Sequence, residues 1–216
     1  MVLKLYGGSR STCTRRVAMV LKEKNVPFEF VAVDYKKGES KVAAYLEKQP
    51  FGQVPYIDDD GFVLFESRAI ARYIALKYRD QGTPLVPDPA DLRAVARFEQ
   101  AASIETSNFD EFAHGLAVEK VFKPMRGGTT NEANVEYLAA TFDAKLNGYE
   151  AILSKQKYLA GDEFTLADLF HLPYGAMLKQ LDYGYLEDFG RRPNLARWWK
   201  DIASRPSWQA VKEKVE

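Results

Sequence analysis

A cluster of hydroxyl and thiol side chains in the segment GGSRSTCTRR (7–16) is the first candidate for chemistry. The paired glycines that open the segment allow a backbone to approach a ligand closely. Ser11 would stand at the start of a helix, where backbone N–H groups and the helix dipole stabilise anions such as thiolates. The same place suits a plain helix cap, so for Ser11, Thr12 and Thr14 the capping and the functional interpretations both stay open.

The single cysteine, Cys13, shares this helix start, but it has no CxxC partner for dithiol redox chemistry. A lone cysteine is more often a buried structural thiol than a nucleophile, and burial is the prediction here. The two histidines, His114 and His171, stand in no catalytic pattern, and His171 lies in an apolar run typical of a core. So few sulfur and imidazole ligands predict that the chain holds no metal.

Two further segments place polar groups where a strand meets a loop or a helix. In GQVPYI (52–57) a proline stands at the start of a strand, which is unusual. Pro55 either ends a loop or forms a cis bond that presents the Val54 backbone to an extended peptide. Ser67 is a good cap for the helix that follows, and Glu66 with Ser67 could hold the amine and carboxylate of an amino acid.

The elements that must position these groups form a mixed α/β pattern. The strand-like runs are VLKLY (2–6), FEFVAV (28–33), VPYI (54–57) and FVLF (62–65). Asp60-Gly61 lies between the last two runs and is a strong signal for a hairpin turn. Helical spacing after Ser11, after Gly38 and from Ser67 completes the order β-α-β-α-β-β-α.

A change of pattern follows at residues 81–90, where three prolines and one glycine indicate a linker. The remainder of the chain has helical spacing, clearest in Val135, Leu138, Phe142, Leu146, Tyr149 and Leu153. Thr165 and Asp168 predict a capping box at a later helix start. We therefore predict an α/β domain over 1–80, a linker over 81–90 and an all-helical domain over 91–216.

The composition excludes several classes of protein. Thirty basic and thirty acidic side chains give no net charge, which argues against nucleic-acid binding. The sequence contains no run of 18 apolar residues, so we expect no membrane-spanning helix. The apolar stretch at the N-terminus is too short for a signal peptide. A single cysteine favours a reducing, cytoplasmic location.

Five motifs in this order resemble the cytosolic glutathione transferases of the phi class. They are STCTRRV (11–17), QPFGQVP (49–55), LFESRAIARYIA (64–75), VFKP (121–124) and KYLAGDEFTLADL (157–169). The resemblance covers essentially the whole chain and implies an α/β thioredoxin-like N-terminal domain followed by an all-α C-terminal domain. It further implies glutathione as co-substrate, small apolar electrophiles as second substrates, no cofactor, and a homodimer with Phe51 as a candidate interface residue.

The resemblance also implies a role for each candidate residue. Ser11 would donate a hydrogen bond to the glutathione sulfur and stabilise its thiolate. The glutathione contacts would be Lys41, Gln53, Val54, Pro55, Glu66 and Ser67. The electrophile contacts would be Arg10, Tyr35, Lys36, Val118, Phe122 and Met177. One departure is Ser40, which stands where phi-class members usually carry a histidine, so binding of the glycyl carboxylate would depend more on Lys41.

Three functions are consistent with these residues. The leading one is conjugation of the glutathione thiolate to apolar electrophiles. A glutathione-dependent peroxidase or thiol transferase would use the same thiolate, and a non-catalytic carrier would bind apolar ligands without using it.

Overall fold

The computed structural model describes residues 2–216, apart from the side chain of Lys36. Contacts divide the chain into two compact units. The first consists of Met1–Val86 together with Arg205–Glu216, and the second is Pro87–Ser204. No helix in the described range is both long enough and apolar enough to cross a membrane.

The first unit is built on a four-stranded sheet with the order β2-β1-β3-β4. Its strands are β1 (Leu3–Gly7), β2 (Phe28–Ala32), β3 (Tyr56–Asp59) and β4 (Phe62–Phe65), and its helices are α1 (Thr12–Glu23), α2 (Ala43–Leu46) and α3 (Ser67–Lys77). Strands β1 and β2 are parallel and are joined through α1, whereas β1 pairs with β3 and β3 with β4 in antiparallel fashion. The thioredoxin-like order predicted from the sequence is confirmed.

The hairpin between β3 and β4 has the two-residue turn that the sequence predicts. Asp60 has a φ of 56° and Gly61 a φ of 87°. Positive φ at both central residues is the requirement of a type I′ turn, which matches the right-handed twist of the flanking strands.

The second unit is helical. Its helices are α4 (Leu92–Glu105), α5 (Glu111–Ala117), α6 (Lys123–Met125), α7 (Glu132–Leu153), α8 (Leu166–Leu169), α9 (Leu172–Gln180) and α10 (Pro193–Ala203). All six apolar residues predicted for the inner face of α7 are buried. Two single π-helical turns, Thr106–Asp110 and Val118–Phe122, flank α5.

The capping box predicted at α8 is present, and its Asp168 carboxylate also binds groups outside this helix. The carboxylate of Asp168 is fully buried and accepts hydrogen bonds from Leu159 N (3.0 Å), Thr165 N (3.0 Å), Thr165 Oγ1 (3.2 Å) and Trp198 Nε1 (2.8 Å). Burial raises the pKa of Asp168, and the four donors act against that rise because they favour the charged form.

His171 is a buried core residue with a hydrogen-bond partner, as the sequence indicates. Tyr149 Oη lies 3.0 Å from its Nε2.

The division of the chain differs from the sequence prediction at its C-terminal end. Residues 205–216, including α11 (Pro206–Gln209), pack within the first unit and not with the helices at 91–204. One cause is the buried carboxylate of Glu23 at the end of α1, which accepts hydrogen bonds from Arg205 (2.6 and 2.8 Å), Ser207 and Thr83 (2.6 Å). Although burial favours the neutral form, these donors hold the pKa of Glu23 below its ordinary value.

Candidate functional site

The predicted glutathione contacts gather at one edge of the sheet because of strand direction. Parallel β1 and β2 end together, with Gly7 beside Ala32. Antiparallel β3 begins at this same edge, with Tyr56 opposite both Tyr6 of β1 and Phe65 at the end of β4. The connections at 8–11, 33–42, 47–55 and 66 therefore all meet this edge, and they carry Ser11, Lys41, Gln53, Val54, Pro55 and Glu66.

Ser11 is the N-cap of α1. Its Oγ accepts a hydrogen bond from Thr14 N at 3.4 Å, and its own N–H donates to Gly8 O at 3.0 Å. Capping uses a lone pair of the hydroxyl oxygen, so the hydroxyl proton is still available for a second partner. The two interpretations of Ser11 are therefore compatible, because one oxygen can cap the helix and donate to a ligand.

Cys13 differs from its prediction, because it is half-exposed and not buried. Its Sγ lies 3.6 Å from Arg16 Nη1, one helical turn further along α1. Cys13 and Lys22 are the two residues of α1 that are not buried.

Ser67 also differs from its prediction, because it is the first residue of α3 and not its cap. The cap position belongs to Glu66, which is exposed and has a φ of 71°. A non-glycine residue at such a φ costs ~1–3 kcal/mol and is held by its surroundings. The hydroxyl of buried Ser67 instead accepts a hydrogen bond from Arg16 Nη1 at 2.9 Å.

Arg16 is a residue that the sequence reasoning missed. It is fully buried and links α1, which carries Ser11, to the start of α3. The signal was present in its spacing, since Arg16 stands four residues after Thr12 and four before Val20 on one helix face. A charged residue on a buried helix face indicates a specific partner elsewhere in the fold.

The loop before β3 holds its polar groups in a fixed arrangement. The Val54-Pro55 bond is cis. Tyr45 Oη donates to Gln53 O at 2.6 Å, and Gln53 N donates to the side chain of Gln49 at 3.1 Å. Burial raises the pKa of the Tyr45 hydroxyl, which therefore stays protonated and remains a donor. Neither backbone group of Val54 makes a hydrogen bond to any residue described by the structure.

Lys41 and Ser40 have different surroundings although they are neighbours. Lys41 is exposed, and its Nζ donates to Phe51 O at 3.0 Å. Ser40 is buried, with 3% of its surface exposed. Ser40 is therefore little accessible to a ligand, whereas Lys41 is an exposed cation.

The predicted electrophile contacts lie on both units. In the first unit Arg10 and Tyr35 are exposed, and an added Cβ at Gly8 would come 2.6 Å from the Tyr35 ring, so only glycine leaves room for this contact. Lys36 belongs to the 3-10 turn Tyr35–Lys37, but its side chain lies outside the described atoms. The contacts predicted in the second unit, Val118, Phe122 and Met177, are each half-buried. Their role stays a prediction.

The π-helical turn that carries Val118 and Phe122 is fixed by one buried carboxylate. Glu119 accepts hydrogen bonds from Lys123 Nζ (2.5 Å), Asn134 Nδ2 (2.8 Å) and Asn131 N (3.0 Å). These donors, with the Lys123 ion pair first among them, lower the pKa of Glu119 to about 2.

We expect Glu119→Gln to lower the melting temperature at pH 7, and the deficit should shrink on acidification. A carboxyl whose pKa is lowered by folding stabilises the protein above its unfolded value of 4.5, and loses that effect as pH falls toward 2. Thermal unfolding of both proteins between pH 7 and pH 3 measures the difference. Glu136→Gln, an exposed position on α7, is the control. A deficit that does not change with pH would contradict the assignment.

Tyr6 and Tyr56, two tyrosines near the sheet edge that carries Ser11, pack against each other. The rings of Tyr6 and Tyr56 stack with their centroids 4.4 Å apart. Burial, with the neighbouring Tyr6 and Asp58, raises the pKa of Tyr56 to about 12. Within residues 2–216 no group of three or more His, Cys, Asp or Glu side chains is placed to hold a metal ion.

Comparison with known proteins agrees with this architecture. Residues 1–76 match the family model for the glutathione S-transferase N-terminal domain, and residues 113–206 match the one for the C-terminal domain. The chain is 51% identical to glutathione S-transferase PM239X14 of Arabidopsis thaliana, over 92% of this chain and 90% of that protein.

Solved structures agree as well. Glutathione transferase F7 from Populus trichocarpa has 39% sequence identity and a TM-score of 0.92, over 98% of both chains. Maize glutathione S-transferase I, solved with an atrazine glutathione conjugate, has 32% identity and a TM-score of 0.86, over 98% of this chain and 97% of that one. The chain therefore belongs to the phi class of the glutathione S-transferase family, whose enzymes conjugate glutathione.

Proposed function

We propose that this enzyme activates glutathione with the hydroxyl of Ser11 at the sheet edge described above. The observation that carries the proposal is that Ser11 caps α1 through its oxygen and keeps its proton for a ligand. The backbone N–H groups of Thr12 and Cys13 in the first turn of α1 make no hydrogen bond to any described residue. A thiolate beside them would be stabilised by the hydroxyl and by the positive end of the helix.

The remaining contacts would hold one small zwitterionic peptide. Glu66 would accept the amine of the γ-glutamyl group, and Ser67 at the start of α3 would donate to its carboxylate, since Arg16 already occupies a lone pair of the Ser67 oxygen. The N–H and C=O of Val54, beside Pro55, would pair with the cysteinyl backbone as in strand addition.

The ends of the peptide would meet two further exposed side chains. Gln53 would contact the γ-glutamyl end, and Lys41 would contact the glycyl carboxylate. Contacts from these five residues along the peptide would fix the position of its sulfur, which supplies the proximity part of catalysis.

In the reaction the thiolate attacks an electrophilic carbon and a C–S bond forms. The proton of the glutathione thiol passes to water when the thiolate forms. In a substitution, the leaving group departs with the electron pair of the bond that breaks. In an addition, the electron pair of the broken π bond stays on the substrate, and the resulting anion takes a proton from water. The Ser11 hydroxyl donates a hydrogen bond throughout and does not lose its proton. Lowering the thiol pKa by ~2 units is worth ~2.7 kcal/mol of differential stabilisation.

We also propose a homodimer in the cytoplasm, with Phe51 in the subunit interface. Phe51 is 64% exposed and its ring packs only edge-on against Phe65, with the centroids 6.2 Å apart. A large apolar side chain exposed to this extent suits a contact with a second subunit.

The test of the proposed function is a panel of electrophiles with glutathione. It contains an activated aryl halide, an isothiocyanate and an organic hydroperoxide. We expect conjugation of the first two well above the uncatalysed rate. Turnover of the hydroperoxide alone would favour the peroxidase function, and no turnover together with failure to bind a glutathione resin would favour a non-catalytic carrier.

A further inference from the structure

The turn that carries Ser11 is attached to a distant part of the chain. Gly8 to Ser11 form a β-turn closed by the hydrogen bond from Ser11 N to Gly8 O. Ser9 is a central residue of the turn, and its carbonyl takes no part in this bond. It accepts a hydrogen bond from Val215 N at 2.8 Å, across more than two hundred residues of sequence.

The segment Arg205–Glu216, which we call the C-terminal segment, is itself firmly anchored in the first unit. Trp208, Val211 and Val215 are each at most 3% exposed. Arg205 and Ser207 donate to the Glu23 carboxylate at one end of the segment. The Val215 donor is therefore held at a fixed place.

A second connection ties the C-terminal segment to the first turns of α1. The guanidinium of Arg15 donates to Lys212 O, and it lies over the Trp208 ring at 5.6 Å from the ring centroid. The segment thus contacts α1 just after Ser11, through Arg15, and the turn just before Ser11, through Ser9. Ser11 lies between these two attachments.

Attachment on both sides matters because the position of Ser11 depends on the turn before it as well as on the helix after it. The turn begins at Gly8, and glycine is the residue type with the greatest backbone freedom. Ser11 must nevertheless hold its oxygen within hydrogen-bond distance of a sulfur. The stabilisation of a thiolate by a hydroxyl falls steeply as that distance grows.

We infer that Val215 is a positioning residue, whose backbone N–H holds the Ser9 carbonyl and thereby sets the Ser11 hydroxyl for the thiolate. The inference rests on the proposed role of Ser11. It extends the site to a segment to which the proposed function assigns no contact with the peptide or the electrophile.

The test uses two variants that remove the donor by different means. Val215→Pro keeps apolar bulk but has no N–H, and a chain shortened to end at Lys212 keeps the carbonyl that Arg15 needs. For both we expect kcat for aryl halide conjugation to fall about threefold to tenfold, with the KM for glutathione nearly unchanged. The ultraviolet absorbance of enzyme-bound thiolate at neutral pH should fall by a similar factor.

Two controls separate positioning from general stability. Val215→Ala keeps the N–H and loses buried apolar surface, so it should lower the melting temperature but keep the wild-type kcat. Lys214→Ala alters an exposed neighbour and should change neither. Wild-type kcat and thiolate absorbance in both donor-lacking variants would overturn the inference, as would an equal loss of kcat in Val215→Ala.

A third measurement does not depend on turnover. Hydrogen exchange at residues 8–12 should be faster in Val215→Pro than in Val215→Ala, and equal rates would overturn the inference. A wild type without conjugating activity would refute the proposed function alone, because the exchange rates would still report whether the C-terminal segment holds the turn.

Discussion

Replacement of Ser11 by alanine is expected to lower kcat/KM for conjugation at pH 7 by about a hundredfold. The estimate follows from loss of a hydrogen bond that lowers the thiol pKa by ~2 units, since each unit is a tenfold change in thiolate below the pKa. The variant should recover part of its rate as the pH rises, because glutathione then ionises without help. The measurement is the pH dependence of kcat/KM for wild type and variant.

The same substitution also removes a helix cap, which costs about 1 kcal/mol of stability, so the two effects must be separated. Ser11→Asp caps a helix as well as serine does, but it has no proton to donate and places a negative charge near the sulfur. We expect normal unfolding and low activity for this variant. Thr14→Val is the matched control, because it deletes a buried hydroxyl in the same helical turn that has no hydrogen-bond partner among the described residues. Equal rates for Ser11→Ala and wild type would refute the assigned role.

The largest loss of stability is expected for Asp168→Ala in the second unit. The substitution leaves three buried groups, the N–H groups of Leu159, Thr165 and Trp198, without their acceptor. Each unsatisfied buried group costs ~1–3 kcal/mol, and partial relaxation of the site brings the expected total to about 3–5 kcal/mol in the free energy of unfolding. Urea titration followed by circular dichroism measures this change.

A graded series makes the Asp168 prediction specific. Asp168→Asn keeps one acceptor oxygen but turns an NH₂ group toward two donors, so its loss should fall between those of wild type and alanine. Asp162→Asn, at an exposed position nearby, should stay within about 0.5 kcal/mol of wild type. A loss below about 1 kcal/mol for the alanine variant would show that the site relaxes around the missing carboxylate.

The sequence predicted those parts of the fold that are determined by interactions between residues close in sequence. The inner face of α7 follows from helical periodicity, since all six predicted residues are buried. The hairpin follows from Asp60-Gly61, whose residues tolerate the positive φ of a type I′ turn. The capping box of α8 follows from Thr165 and Asp168, because both of its hydrogen bonds lie within four residues. In each case the determining contact is close in sequence.

The rest depends on contacts between residues that are far apart in sequence. Arg16 donates a hydrogen bond to Ser67, which lies about fifty residues later in the sequence. The Ser67 hydroxyl therefore has a hydrogen-bond partner although Ser67 is not the cap of α3. The packing of residues 205–216 within the first unit depends in part on Glu23. From the sequence alone, Glu23 looks like an ordinary surface charge at the end of a helix. Half-exposure of Cys13 depends on a rotation of α1 that periodicity alone does not fix. The motifs indicated the residues of the site, but not the contacts that support them.

The discontinuity of the first unit has a consequence for folding during synthesis. Its sheet is made early, but its last contacts, at Glu23 and Ser9, need residues 205–216. At translation rates of ~5–20 residues per second, the ribosome takes roughly ten seconds to pass through the intervening helical unit. During that interval the helical unit, which is continuous in sequence, can complete its own contacts while the sheet unit still lacks its final segment. The nascent chain should therefore acquire its helical unit first, and thiolate activation should appear only after residues 205–216 have been synthesised.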